Sequence, residues 1–121
     1  MKKLFFVLII ALATLTSFSP DYVPTADEVN KFYQTKTLVV LDDNPLAEYN
    51  FVIKDFMQKE WKLTQFDFIK QSEFEEKRMD KQYSFILLNS VRFDKDKSLA
   101  RYIFLSLVLG GDDKIVSNMP D

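Results

Sequence analysis

Two adjacent aspartates close a short apolar run in the segment Leu38-Val39-Val40-Leu41-Asp42-Asp43-Asn44-Pro45. Carboxylates at the carboxyl end of a strand lie where open α/β sheets bind their ligands, near the point at which strand order reverses. Asn89, at the end of a second apolar run from Phe85 to Leu88, offers an amide oxygen at the same end of the sheet. An all-oxygen set of this kind suits a hard cation such as magnesium or calcium. Asp42 and Asp43 are therefore the candidate metal ligands and, with Asn89, the candidate ligand-binding residues of a small ion-binding or carboxylate-based enzyme domain. A plainer account competes: Asp42, Asp43 and Asn44 suit a turn whose carboxylates favour the positive end of the following helix. That plainer account is the default, because turns rich in Asp and Asn commonly precede helices for this reason alone.

Composition removes most other chemistries. The 121 residues include no cysteine and no histidine, which excludes a disulfide, a thiol nucleophile, an imidazole base and the usual zinc and haem ligands from this chain. The serines Ser84, Ser90, Ser98, Ser106 and Ser117 have no histidine to activate them and none lies in a Gly-x-Ser-x-Gly elbow. Gly110-Gly111 is too short for a phosphate loop. With 18 acidic residues, the existence of a carboxylate pair is uninformative, and Glu73, Glu75, Glu76, Asp94 and Asp96 fit a helix start and a solvated hairpin loop. The formal net charge is −2, with signs interspersed, and after the leader no basic run exceeds Lys77-Arg78. Nucleic-acid binding draws its affinity from clustered cations, so no nucleic-acid partner is expected.

The elements that must position these residues are legible from period and punctuation. Thr25-x-x-Glu28 is a capping box, and Ala26, Val29, Phe32 and Tyr33 follow at helical spacing, which predicts a helix over 26–35. Leu38 to Leu41 reads as a strand covered on both faces. Asn44-Pro45 reads as a cap followed by a first-turn proline, and Leu46, Tyr49, Val52, Ile53, Phe56 and Met57 form the apolar face of a helix over 45–60. Phe66 and Phe68 alternate with Gln65 and Asp67 within 61–69, as in a strand. Ser72-x-x-Glu75 reads as a second capping box, opening a short helix through about Met79. Two apolar runs, 83–93 and 99–109, joined by a charged connector, read as a hairpin. Gly110-Gly111 marks a sharp turn, after which Lys114 to Ser117 has the makings of one more strand.

Two strand-helix-strand units followed by an antiparallel hairpin define a Rossmann-like, three-layer α/β fold, with a mixed sheet of about four strands in the order 2-1-3-4. Most of the 17 Phe and Tyr residues fall on inward positions, among them Phe32, Tyr49, Phe56, Phe66, Phe68, Phe85 and Phe104. They are assigned to the core. In the first hairpin strand both faces are apolar: Tyr83, Phe85, Leu87, Val91 and Phe93 share one, and Ile86 and Leu88 the other. Both faces call for cover, from an envelope protein partner, a second copy or the remainder of a longer parent chain.

The first residues form an address. Lys2 and Lys3, the apolar run Leu4 to Leu15 and the small polar residues Thr16, Ser17 and Ser19 have the layout of a secretory signal peptide, taken as residues 1–19. The run is too short to span a membrane, which needs about 20 apolar residues, and without cysteine there is no lipid attachment. Removing nineteen residues, two of them lysines, leaves one α/β domain of 102 residues, 20–121, with net charge −4. That domain is expected to be secreted or periplasmic, with no membrane anchoring after cleavage.

Two resemblances bear on this reading. LVVLDDNP resembles the opening of bacterial receiver domains, in which an acidic pair holds magnesium beside a phosphorylatable aspartate. The stretch matching the acceptor strand is Phe85-Ile86-Leu87-Leu88-Asn89-Ser90, which carries no acid, so no phosphoryl chemistry is carried over. The leader together with KTLVVLDDNPLAEYNFVIKDFMQKEWKLTQFDFI, YSFILLNSVRFDKDK and ARYIFLSLVLGG is similar to a family of secreted proteins from Bacteroides-type bacteria. That resemblance implies an exported compartment and a longer parent chain, with no assigned activity and no functional residues to transfer. The reading that results is an exported, non-catalytic binding or interaction module, with no cofactor required.

Overall fold

The computed structural model describes residues 23–93, 95 and 97–111. The leader, Asp94, Asp96 and the stretch Lys114 to Ser117 lie outside the described residues. Seven elements follow in order: α1 (Ala26–Tyr33), β1 (Lys36–Val40), α2 (Glu48–Glu60), β2 (Phe66–Ile69), α3 (Gln71–Lys77), β3 (Tyr83–Val91) and β4 (Tyr102–Leu109). The four strands form one sheet in the order β2-β1-β3-β4. β1 is parallel to both neighbours, and β3 and β4 pair antiparallel. This is the mixed α/β sheet expected from the sequence.

The alternation of side chains along β1 and β3 divides the core in two. Leu38, Val40, Phe85, Leu87 and Val108 face one way and pack with Ile69 and with Phe74 of α3. Val39 and Ile86 face the other way and pack with Ile53 and Met57 of α2. One helix therefore covers each face, which is what buries β1 on both sides. At the amino ends of the strands, buried hydroxyls replace apolar contacts. Thr35 donates to Ser84 (2.8 Å), Ser84 and Thr37 share a bond of 2.9 Å, and Thr37 pairs with Thr64, which also accepts from Trp61 Nε1 at 3.1 Å. Among the described residues no buried side-chain polar atom lacks a partner, so this network costs little despite its burial.

Three local expectations need correction. The Thr25 capping box forms as read, with Thr25 N–H donating to Glu28 at 2.7 Å. The second box does not form at Ser72: the helix begins two residues earlier, capped at Lys70, Glu73 accepts from the Lys70 amide at 3.0 Å, and Glu75 pairs with Arg78 at 2.7 Å. Helix α2 starts at Glu48 rather than Pro45, because the intervening residues are held in a loop. Phe56 and Phe104, assigned to the core, are 47% and 46% exposed. Both lie toward the β4 side of the molecule, where no helix of the described chain covers the sheet.

Candidate functional site

The end of β1 is built by one buried side chain. Asn50, in the first turn of α2, accepts from the Asp42 amide at 2.8 Å and donates to the carbonyls of Asp42 and Asn44, each at 3.0 Å. Within the loop, Asp42 accepts from the Asn44 amide (2.8 Å) and Asn44 accepts from the Leu46 amide (3.0 Å). Consecutive Asx turns of this kind satisfy backbone groups that a strand-to-helix connection would otherwise leave open. Asn44 thus serves the turn and does not cap the helix. The position that caps α2 is Ala47, whose side chain has nothing to donate or accept.

Asp42 and Asp43 border a recess of about 210 Å³ together with Tyr49, Gln71 and Leu88. Asn89 is not among its lining residues. It points to the opposite face of β3 from Leu88, as strand alternation requires, and its amide donates to Ser106 Oγ at 2.9 Å. The structure therefore brings Asp42 and Asp43 together and leaves Asn89 elsewhere. Among the described residues no group of three or more acidic side chains converges, and one oxygen of Asp42 is already held by a backbone amide. The loop has the chemistry of a well-bonded turn. Titration with millimolar magnesium or calcium is expected to leave the melting temperature unchanged. A rise of about 5 °C or more, corresponding to ~1.4 kcal/mol at ten times the dissociation constant, would establish a cation site there.

Tyr49, in the recess, is shifted by its surroundings. Its hydroxyl donates to the Val40 carbonyl at 3.2 Å. Burial, and secondarily the negative charge of Asp42, push its pKa above the ordinary tyrosine value. A raised pKa means that the folded state holds the proton more tightly, so the associated stability is full below pH 10 and is lost as the pH rises through the folded-state value. Tyr49→Phe is expected to reduce the alkaline loss of stability, and in an ultraviolet titration to remove a phenol that ionises above the ordinary tyrosine value. Loss of the phenol from the ordinary range instead, with the alkaline loss of stability unaltered, would show that Tyr49 ionises like an exposed tyrosine.

A second site was not legible as such. β4 is an edge strand of eight residues, YIFLSLVL, without charge, proline or glycine. Ile103, Leu105 and Leu107 are 67%, 59% and 50% exposed on the face that α2 shares. Between this strand and α2 runs an apolar groove of about 410 Å³, lined by Val52, Ile53, Phe56, Ile86, Leu105 and Leu107 among others. The two-sided apolar pattern pointed to β3, but β3 is buried from Ser84 to Leu87. The uncovered surface lies one strand further out. The signal that could have located it is the absence of any charge from Tyr102 to Leu109.

No protein-family model matches the chain, and neither a curated protein nor a solved structure does.

Proposed function

We propose that the protein is an exported, non-catalytic binding module whose recognition surface is the apolar face formed by β4 and α2. The observation that carries this reading is the long, uncharged, half-exposed edge strand. Soluble proteins ordinarily protect such edges with charges, proline, bulges or a covering element, and an unprotected one is a template for pairing. Contiguous apolar surface beside it has the composition of an interface centre, from which charged residues are depleted. Export rests on the leader, whose length and polarity fit a cleaved signal. The carboxylates at Asp42 and Asp43 belong to the loop that anchors α2 and lie outside the recognition surface.

The test is binding of an environment-sensitive apolar dye over a dilution series, with wild type beside Phe56→Lys. Saturable fluorescence enhancement in the dilute limit, suppressed by the substitution at the groove, is the expected result. Absence of dye binding at every dilution, with the variant indistinguishable from wild type, would remove the surface from consideration.

A further inference from the structure

We infer that the partner of this surface is a second copy of the same chain, joined by antiparallel pairing of β4 with β4 across a two-fold axis at Leu105. The inference rests on the binding-module reading and names its occupant.

The backbone supplies the first argument. Gly110 N–H donates to the Tyr83 carbonyl at 2.9 Å, in the register that pairs Ser84 with Leu109. Antiparallel ladders alternate hydrogen-bonded and non-bonded pairs, so residues 102, 104, 106 and 108 turn their amides and carbonyls toward β3. Ile103, Leu105 and Leu107 turn theirs outward, to the open edge. Antiparallel pairing of two identical edges is self-complementary: with Leu105 opposite its own copy, Ile103 meets Leu107 of the second chain and Leu107 meets its Ile103. All three pairs are then hydrogen-bonded, and their side chains, all apolar, meet on the α2 face, while on the other face Phe104 lies opposite Ser106 and Tyr102 opposite Val108 of the second chain. A two-fold contact uses the same patch on both subunits and closes, leaving no free edge of this strand.

The other edge of the sheet supplies the contrast. β2 has only four residues and carries Asp67, which bridges to Lys36 at 3.4 Å. The amide of Phe68, and then Lys36, hold the Asp67 carboxyl below the usual range, so that edge stays charged. A short charged edge resists pairing, whereas β4 has neither feature. The area on the α2 face reaches the lower bound for a specific contact. Val52 and Phe56 of α2 and Ile103, Leu105 and Leu107 of β4 are each roughly half exposed there. At ~150–200 Å² of accessible surface per large apolar side chain, this set leaves about 500 Å² uncovered. Two copies together bring ~1,000 Å², the total a specific interface must clear.

The experiment uses the signal-cleaved chain in analytical ultracentrifugation, beside Leu105→Lys, and disulfide trapping of Leu105→Cys and Ile103→Cys under mild oxidation. The chain has no native cysteine, so each variant reports one position. In the inferred register the two Leu105 Cα atoms lie ~5.5 Å apart, within reach of a disulfide. The two Ile103 positions are four residues out of register, ~13 Å apart. The expected results are a wild-type dimer, a tenfold or greater weakening in Leu105→Lys, and cross-linking at least tenfold faster at Leu105→Cys than at Ile103→Cys. A wild-type monomer at every concentration, or equal trapping at the two positions, overturns the inference. If such a monomer still binds apolar dye at the Phe56 groove, the binding module stands and its partner is a different molecule. If it binds none, both fall.

Discussion

Phe85→Ala is expected to lower the unfolding free energy by about 3–5 kcal/mol, the range observed when a large aromatic is removed from a core. Phe85 is wholly buried in β3, paired with Leu38 on one side and Val108 on the other, and meets the ring of Phe74 edge to face at 5.1 Å. Its removal opens a cavity where the sheet meets α3, and the neighbours that would collapse into it are fixed by ladder pairing. Because domains of this size have only ~5–15 kcal/mol of stability in all, the variant is expected to be partly unfolded at 37 °C. Phe85→Leu, which retains most of the volume, should lose markedly less. Urea denaturation of the three proteins measures the difference. A loss below ~1 kcal/mol in Phe85→Ala would mean that the α3 face is not packed as described.

Asn50→Ala is expected to cost about 2–3 kcal/mol, an unusual loss for a polar residue on a helix. Asn50 is buried and makes three hydrogen bonds to loop backbone. Truncation leaves the Asp42 amide and two carbonyls without that partner, and a buried unsatisfied group costs ~1–3 kcal/mol. Asn50→Asp separates donor from acceptor: it can still accept from the Asp42 amide, but it places negative charge against the carbonyls of Asp42 and Asn44. It should be no more stable than the alanine variant at neutral pH, and should recover partially when acidified enough to protonate the new carboxyl. Chemical denaturation at two pH values reads both effects. Stability within 0.5 kcal/mol of wild type in both variants, the range typical of neutral surface changes, would show that the loop does not depend on Asn50.

These two residues also mark how far the sequence could be read. Phe85 sits in an apolar run whose period and neighbours placed it in the core, and the same logic gave the sheet order, since two strand-helix-strand units and a hairpin leave few right-handed arrangements. Asn50 gave no such signal. A polar residue on a helix reads as solvent-facing, and its burial arises because the loop before it needs a side-chain amide that can donate and accept at once. For the same reason Asn44-Pro45 read as a cap: local propensity favours it there, but the tertiary contact to Asn50 takes the loop as far as Ala47. Ser72 and Glu75 likewise matched a capping box at the right spacing, while Glu73 was the residue within reach of the first free amide.

The candidate site divides in the same way. The position of Asp42 and Asp43 at the end of β1 followed from the strand and the turn that ends it. That Asn89 would not join them followed only from the parity of β3, which the sequence leaves open by one residue and which sends Asn89 to Ser106 instead. The apolar surface was sensed but misplaced. Phe56 and Phe104 have the spacing of core residues, and periodicity records which side chains share a face without recording whether another element covers that face.

β4 is the open edge of the sheet among the described residues and the centre of the proposed recognition surface. Hydrogen-exchange mass spectrometry of the signal-cleaved protein at low and high micromolar concentration measures the edge directly, because the amides of Ile103, Leu105 and Leu107 face the edge that the sheet of the described residues leaves open. Slowed exchange confined to residues 102–109 and the adjoining face of α2 as concentration rises is the predicted result. Exchange in that segment that is independent of concentration, or protection appearing instead around residues 41–47, would contradict it.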